Sequence, residues 1–238
     1  MGVQVVREFD APAGLRGYVV QAHGQHSIAY ATADGEHVLF GTLLNAQGEN
    51  LTSQEAEHYV PKPDLNAAWD KLKHSTWIAE GAKHPKTVIY EFTDPNCPFC
   101  HLFWLANTHY FDAGLQVRHI LVSFLSPTSK LKAAAILDAP DPAAAYRRNE
   151  AHYKRGVAES RAGGVAPEKS ANPATLKKIQ ANTELMDALG ISGTPGVFYK
   201  DNKGQVHRIV GLPKLSKLPQ IYNLPPQKLT DAELQPYL

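Results

Sequence analysis

The segment 87–107, TVIYEFTDPNCPFCHLFWLAN, holds both cysteines of the chain between a β-rich run and a strongly helical run. A strand that leads directly into Cys97-Pro98-Phe99-Cys100 places the first sulfur at the N-terminus of the helix that follows. Unpaired backbone N–H groups and the helix dipole favour a thiolate there. Pro98 suits the first helical turn, because its missing N–H costs nothing at that position. The pattern predicts Cys97 as the attacking sulfur and Cys100, one turn later and more buried, as the resolving sulfur.

Four interpretations of the cysteine pair compete: a redox dithiol, a covalent haem anchor, part of a metal site, and a structural disulfide. The sequence CPFCH, with His101, satisfies the haem attachment pattern, but the strand before it and the helix after it are typical of thioredoxin-like proteins. Structural zinc usually takes four ligands, and the chain has no second cysteine pair. A disulfide that closes so short a loop stabilises weakly. The redox dithiol, which requires neither cofactor nor metal, is the favoured interpretation.

Composition limits the partners that such a chain can have. Of its 238 residues 43% are hydrophobic, which is enough to bury a core without a disulfide framework. The net charge of +1, with no clustered Lys or Arg, argues against nucleic acid or an anionic membrane surface as a partner. The start, MGVQVVREFDAPAG, lacks the basic and apolar regions of a secretory signal, although an exported protein written without its signal would look the same.

Patterning divides the chain into three predicted regions: 1–60, 61–82 and 83–238. In the first, short β-rich runs alternate with turn signals and predict a small antiparallel meander. In the second, a proline break precedes an isolated helix with Asp64 as N-cap and Gly81 as its stop, which is typical of a linker between domains. In the third, strand, helix, strand and a late hairpin predict a mixed sheet flanked by helices, with a helical insertion at about 128–189.

A second sequence feature supports the interpretation of the two cysteines as a redox dithiol. Thr194-Pro195, in GISGTPGVFYK, directly precedes a predicted strand, where the missing N–H of proline leaves an edge unpaired. By itself this is most simply a turn proline, but it is far more specific when a Cys-Pro-x-Cys motif lies upstream. With both motifs the sequence resembles thioredoxin-fold oxidoreductases, whose cis-proline loop packs against the active disulfide. The resemblance implies that Thr194 and Pro195 form a groove in which a client backbone pairs beside Cys97.

The resemblance extends over nearly the whole chain. The segments that carry it are FDAPAGLRGY, NAQGENLT, STWIAEG, FTDPNCPFCHLFW and LMDALGISGTPGVFY. Together they resemble the periplasmic disulfide isomerase family of DsbC and DsbG, and DsbG more than DsbC. The resemblance implies an α+β protein: a thioredoxin fold with a helical insertion, preceded by a small β-rich, cystatin-like dimerisation domain and a helical linker. It also implies a homodimer that is exported to the periplasm.

The same resemblance implies a function. In this family a membrane thiol reductase of the DsbD type keeps the dithiol reduced, and the protein reduces or reshuffles wrongly oxidised cysteines in client proteins. For DsbG-like members it also implies reduction of sulfenic acids on single cysteines, in which Cys97 attacks the sulfenyl sulfur and Cys100 resolves the mixed disulfide. Two alternatives remain open: a dimeric holdase chaperone with secondary redox activity, and a DsbA-like oxidant, since Cys-Pro-x-Cys occurs there too.

Glu91 lies on the strand that leads to the motif, and a central strand of such a fold is covered by helices on both faces. Thioredoxins and DsbA-like proteins resemble this chain in carrying a buried acid at the matching distance, where it takes the proton of the resolving cysteine. Burial would raise the pKa of Glu91 and make it a better base for Cys100 near neutral pH. The competing interpretation is a glutamate near the strand end that reaches solvent or a lysine.

Other conspicuous residues have simpler interpretations. Phe99, Phe103 and Trp104 follow the motif at helical spacing and are predicted core residues, with the rim of the client groove as an alternative for Phe99. Asp94 and Pro95 are expected to shape the loop before the motif rather than to take part in catalysis. Four histidines of the N-terminal region lack metal-ligand spacing and are predicted to be exposed; they are His23, His26, His37 and His58.

Overall fold

The computed structural model describes residues 3–22, 25–61 and 64–238. The chain forms two compact units, Met1–Pro63 and Asp64–Leu238. We refer to them as the N-terminal unit and the second unit. The predicted proline break at 61–63 coincides with the boundary, although Lys62 and Pro63 themselves lie outside the described residues.

The N-terminal unit is an antiparallel meander, as predicted, followed by one helix. Its sheet has the order β1-β2-β3-β4, and each strand pairs with the next one in sequence. The elements are β1 (Gln4–Asp10), β2 (Arg16–Ala22), β3 (Gln25–Ala31), β4 (Val38–Phe40) and α1 (Leu51–Tyr59). A small buried cluster of Phe9, Val19, Ile28 and Tyr30 packs under α1, where Phe9 stacks on Tyr59.

The second unit is a five-stranded mixed sheet with the strand order β5-β7-β6-β8-β9. Its elements are α2 (Leu65–His74), β5 (Ile78–Gly81), β6 (Thr87–Thr93), α3 (Pro98–Thr108), β7 (Leu115–Leu121), α4 (Ser129–Leu137), α5 (Pro142–Ala151), α6 (Pro173–Ala188), β8 (Gly196–Lys200), β9 (Val206–Val210) and α7 (Leu218–Tyr222). Strands β6 and β7 are parallel and joined by α3, and the other neighbours are antiparallel. The predicted helical insertion consists of α4, α5 and α6 and lies between β7 and β8.

The segment predicted as a helical linker, 61–82, lies largely inside the second unit. Helix α2 starts as predicted, since the Asp64 carboxylate accepts hydrogen bonds from two backbone N–H groups of the first turn. The helix ends at His74 rather than at Gly81, and Ile78–Gly81 instead pairs with β7 as an edge strand. Trp69 and Leu72 are buried in the core, and the Trp69 ring packs edge-on against Tyr90 at 4.9 Å. Burial of this apolar stripe fastens the helix to the sheet.

Both faces of the central strand β6 are covered. One face carries Ile89, which packs against α3 and α7, and the other carries Tyr90 and Phe92, which pack against α2, β8 and the end of α6. Glu91 falls between them and therefore shares the α3 side with Ile89. Among the three described ranges, no helix has the length and apolar character that a membrane span requires.

Candidate active site around Cys97 and Cys100

Cys97 is the N-cap residue of α3, and Pro98 is the first residue of that helix. The Cys97 sulfur accepts a hydrogen bond from the backbone N–H of Cys100 at 3.2 Å. It also lies 3.4 Å from the carbonyl oxygen of Thr194, to which the thiol donates. The helix N-terminus therefore supplies a donor to this sulfur, as the sequence predicts, and a negative charge on it is stabilised by the helix dipole.

The Thr194–Pro195 peptide bond is cis. Strand β8 begins directly after it, and Gly196 pairs with Phe92 of β6. The carbonyl of Pro195 accepts a hydrogen bond from the backbone N–H of Gly211 at 2.8 Å. The loop is thus held by strands on both sides, and this brings Thr194 to Cys97 across 97 residues of sequence.

The two sulfurs differ less in exposure than the sequence predicts. Cys97 is 3% exposed and Cys100 is 0% exposed, because the Thr194 carbonyl and the first turn of α3 close around Cys97. Phe99, in contrast, is 47% exposed, so its prediction as a core residue is wrong, and the rim of the client groove stays as its alternative interpretation. Phe103 and Trp104 are buried, as predicted.

Cys100 lies fully inside the protein. Burial raises the pKa of its thiol well above the usual value, and the neighbouring Cys97 and Glu91 increase it further, whereas a hydrogen bond with Thr93 partly offsets the rise. A thiol in this environment does not ionise by itself at neutral pH. If Cys100 reacts, a nearby base has to take its proton.

Glu91 is fully buried, which contradicts the alternative that it reaches solvent or a lysine. One of its carboxylate oxygens, Oε2, lies 2.9 Å from Nδ1 of His119. Burial raises the pKa of Glu91, and the hydrogen bond and charge of His119 limit the rise. Its other oxygen, Oε1, has no hydrogen-bond partner among the described residues.

His119 and Glu80 complete a buried acid–imidazole–acid group that the sequence analysis missed. Nε2 of His119 lies 3.4 Å from Oε2 of Glu80, and the Glu80 carboxylate also accepts hydrogen bonds from Trp104 and Arg147. Burial lowers the pKa of His119, but the two glutamates outweigh it and raise the pKa to about 9. Burial raises the pKa of Glu80, and its hydrogen bonds outweigh this and lower it. The signal that could have found the group is strand register, because Glu91 pairs with His119 across β6 and β7.

A polar network holds the loop before Cys97. The buried carboxylate of Asp94 accepts hydrogen bonds from Ser129 Oγ at 2.7 Å and from the backbone N–H groups of residues 96, 124 and 125, so Asp94 shapes the loop as predicted. Lys132, on α4, donates to the Asn96 side chain and to the Gly163 carbonyl, each at 2.8 Å. Burial raises the pKa of Asp94 and lowers that of Lys132. The helical insertion is thereby tied to the active-site loop.

The predicted exposure of the four N-terminal histidines is confirmed only in part. His37 and His58 are exposed and His26 is half-buried, while His23 lies outside the described residues. The ligand atom of His37 lies within 4.8 Å of those of Asp34 and Glu36 in an exposed turn, a proximity that the sequence analysis did not anticipate. Exposed acidic groups of this kind are common without an ion.

His101, the residue that suggested a haem site, is buried. Its ring stacks on Tyr153 at 4.6 Å, and Nδ1 lies 3.4 Å from the carboxylate of Glu150. Tyr153 in turn donates a hydrogen bond to the carbonyl of Asn96 at 2.8 Å. The imidazole is therefore packed between α3 and the segment that follows α5, and that segment also holds the loop before Cys97.

Comparison with known proteins agrees with this geometry. A family model described as a thioredoxin-like domain matches residues 72–223. The thiol:disulfide interchange protein DsbG of Pseudomonas aeruginosa is 37% identical over 221 residues, which cover 92% of this chain and 84% of that protein. The thiol:disulfide interchange protein DsbG of Escherichia coli is 33% identical over 215 residues, which cover 89% of this chain and 83% of that protein.

A solved structure shows the same fold. The crystal structure of Proteus mirabilis ScsC in a transitional conformation superposes with a TM-score of 0.52 at 21% identity, covering 72% of this chain and 84% of that one. The chain therefore belongs to the DsbG family of thiol:disulfide interchange proteins, and it is a thiol-disulfide oxidoreductase with a thioredoxin fold.

Proposed function

We propose that the chain uses Cys97 and Cys100 to reduce or isomerise wrongly oxidised cysteines in proteins of the periplasm, and to reduce sulfenic acids on single cysteines. One observation carries this proposal: Cys97 Sγ lies between the N-terminus of α3 and the carbonyl of Thr194, while the second sulfur is fully buried behind it. One sulfur is placed to meet a client and the other to complete the reaction.

In the first step the Cys97 thiolate attacks a sulfur of the client disulfide. A bond forms between the two sulfurs, the client S–S bond breaks, and the second client sulfur leaves as a thiolate. The client backbone pairs beside the Thr194–Pro195 loop, where strand-like hydrogen bonds supply affinity that does not depend on sequence. Pro98 and the exposed ring of Phe99 line the approach and offer apolar contact to an unfolded segment.

In the second step the mixed disulfide is resolved in one of two ways. Cys100 attacks Cys97 Sγ and releases a reduced client, after Glu91 has taken the Cys100 proton. Alternatively, another client thiolate attacks, which frees Cys97 and rearranges the client disulfides. A membrane thiol reductase of the DsbD type returns the Cys97–Cys100 disulfide to the dithiol in this proposal.

Sulfenic acid reduction follows the same path. The Cys97 thiolate attacks the electrophilic sulfur of the client sulfenic acid, the S–O bond breaks, and the hydroxyl group takes up one proton and leaves as water. The resulting mixed disulfide is the one that Cys100 resolves. One dithiol therefore serves both classes of client.

The redox state of the dithiol in the periplasm separates this proposal from its alternatives. Acid quenching followed by alkylation with a mass-shifting reagent should find Cys97 and Cys100 mostly reduced, since a reductase or isomerase has to hold electrons. A mostly oxidised pair would instead make the protein a DsbA-like oxidant. Full suppression of client aggregation by the double variant Cys97→Ala, Cys100→Ala, without thiol turnover by the native chain, would make it a holdase.

We further propose that the N-terminal unit joins two copies of the chain. Strand β4 is the last strand of its sheet, and its side chains are apolar and exposed, with Phe40 exposed to 66%. An edge strand of this kind favours pairing with another chain. Val38 and Leu39 on the strand and Leu44 after it extend the apolar surface.

Phe40→Asp is accordingly expected to shift the protein from dimer to monomer at micromolar concentration, because a charge replaces an apolar side chain at the pairing edge. Sedimentation velocity measures the change, and reduction of a small disulfide should continue while protein clients are handled poorly. Phe124→Asp, which alters an exposed aromatic residue of the second unit, is the matched control for assembly. A native chain that sediments as a monomer would contradict the proposal.

A further inference from the structure

We propose that His119 is a proton reservoir for the dithiol: it releases a proton through Glu80 when Glu91 takes one from Cys100, and recovers it when Cys100 is reduced again. The inference rests on the proposed function, in which Glu91 is the base. His119 and Glu80 contact neither sulfur in this scheme, so they are positioning residues that act through Glu91.

The three residues lie on three adjacent strands of one sheet. Glu91 is on β6, His119 is on β7 and Glu80 is on the edge strand β5, and all three side chains are buried. The distances between neighbouring N and O atoms are 2.9 Å for Glu91–His119 and 3.4 Å for His119–Glu80. The group therefore runs from the centre of the sheet to its edge.

The Glu80 end of the group lies beside a solvent-accessible cleft at the edge of the sheet. Oε1 of Glu80 accepts a hydrogen bond from Nε of Arg147 at 3.0 Å, and the Arg147 side chain is 56% exposed. Glu80, Trp104 and Arg147 line a surface cleft of about 640 Å³ beside β5. Thr194 precedes β8, on the other side of β6 in the strand order. A proton that leaves at Glu80 thus avoids the side of the sheet where the client is bound.

Burial makes such a route necessary. Cys100, Glu91 and His119 have no exposed surface, so a proton moved from the thiol to Glu91 has no direct contact with water. Within the described part of the chain, Glu91 Oε1 has no hydrogen-bond partner, and His119 Nε2 has only the 3.4 Å ion-pair contact with Glu80, which lacks hydrogen-bond geometry. Buried polar atoms without a good hydrogen bond are costly, and a role in proton transfer accounts for both of these atoms.

Protons and electrons balance over one cycle of oxidation and re-reduction of the dithiol. On resolution, the S–H proton of Cys100 goes to Glu91, the Cys100 sulfur attacks Cys97 Sγ, and the client leaves as a thiolate. His119, which starts as an imidazolium, gives its Nε2 proton to Glu80, and Glu80 passes it to water in the cleft. The client thiolate takes a proton from water. When a thiol donor reduces the Cys97–Cys100 disulfide, each transfer runs in reverse, and the buried group has the same net charge in both states.

The charges around His119 are consistent with this resting state. The raised pKa of His119, about 9, keeps the imidazole protonated at neutral pH while the dithiol is reduced. Tyr146 of α5 packs against the imidazole ring at 4.2 Å, and the Glu150 charge on the same helix acts on Glu91. Among the described residues, the titratable and charged groups near the imidazole or its partners include Glu80, Glu91, Cys100, Tyr146, Arg147, Glu150 and Tyr222.

Nitrogen NMR of the native protein tests the inference without any variant in the sample. With histidine labelled by ¹⁵N, and the spectrum of His119→Gln used only for assignment, we expect His119 to be an imidazolium in the reduced protein and neutral in the oxidised protein at pH 7. The same protonation state in both redox forms would overturn the inference.

Stopped-flow kinetics provide the second test. His119→Gln and Glu80→Gln should each slow resolution of a client mixed disulfide by about tenfold or more, whereas attack by Cys97 should change by less than about twofold. His109→Gln is the matched control, because His109 pairs with Asp231 at 2.5 Å outside this group. Normal resolution by His119→Gln, together with slow resolution by Glu91→Gln, would overturn the reservoir and leave the proposed function intact.

Discussion

Replacement of Cys100 by alanine is expected to lower the rate of client reduction by at least about 10³-fold and to leave clients that have no second thiol joined to Cys97. The second thiol is held next to the mixed disulfide, and well-oriented intramolecular groups react as if they were present at about 10⁵ M or more. Free thiols at millimolar concentration replace such a group poorly. The first step is unaffected in this variant, because Cys97 keeps both its place at the start of α3 and the Thr194 contact.

Non-reducing gels and mass spectrometry of the trapped species measure this outcome. Cys100→Ala should carry clients on Cys97, and Cys97→Ala should carry none, since its remaining thiol is fully buried. Clients trapped on Cys100 in the Cys97→Ala protein would assign the attacking role to the other sulfur.

Replacement of Glu91 by glutamine is expected to slow resolution by about 10²-fold, while attack by Cys97 changes much less. General bases contribute about 10²-fold to 10⁴-fold, and the high pKa of the Cys100 thiol makes that step depend on one. Glutamine has the shape of the glutamate and keeps an oxygen for the His119 contact, but it cannot take up the proton.

The same substitution should stabilise the fold at neutral pH, because a charged carboxylate no longer has to be buried. A buried carboxyl with a raised pKa contributes stability below its unfolded pKa and loses it as the pH rises through the folded value. The raised pKa of His119 acts in the same direction. Its contribution to the stability of the fold is complete below about pH 6.5 and is lost as the pH rises through about 9. Glu91→Gln should therefore flatten the decline of stability with pH.

Stopped flow with a client disulfide between pH 6 and 9 separates the two chemical steps, and urea denaturation over the same range gives the free energy of unfolding. Glu184→Gln, an exposed change on α6, is the matched control for both measurements. A resolution rate that stays at the native value over the whole range would remove Glu91 from the mechanism.

Features of the structure that depend only on neighbouring residues could be predicted from the sequence. The start of α3 at Pro98, the N-cap role of Asp64 and the strand before the dithiol follow from residues within one turn of each other, and the structure agrees with each. The helix that was predicted to run to Gly81 fails because pairing with β7 stabilises a strand at 78–81, and such pairing is not visible in the segment itself.

The rest of the site depends on contacts between distant segments. Glu91 and His119 meet because β6 and β7 pair in one particular register, and Glu80 joins them only because β5 lies on the far side of β7. Lys132 reaches Asn96 from the helical insertion, across 36 residues of sequence. Among these residues only Glu91 was predicted to be buried; no local signal in the sequence marks His119, Glu80 or Lys132 as buried residues.

The most direct test of the division of roles between the two cysteines is competitive alkylation of the reduced native protein at neutral pH. Limiting iodoacetamide, followed by peptide mass spectrometry, gives the rate at which each thiol is labelled. The helix N-terminus at one sulfur and complete burial of the other predict that Cys97 is labelled first, by at least about tenfold. Preferential labelling of Cys100 would contradict the account.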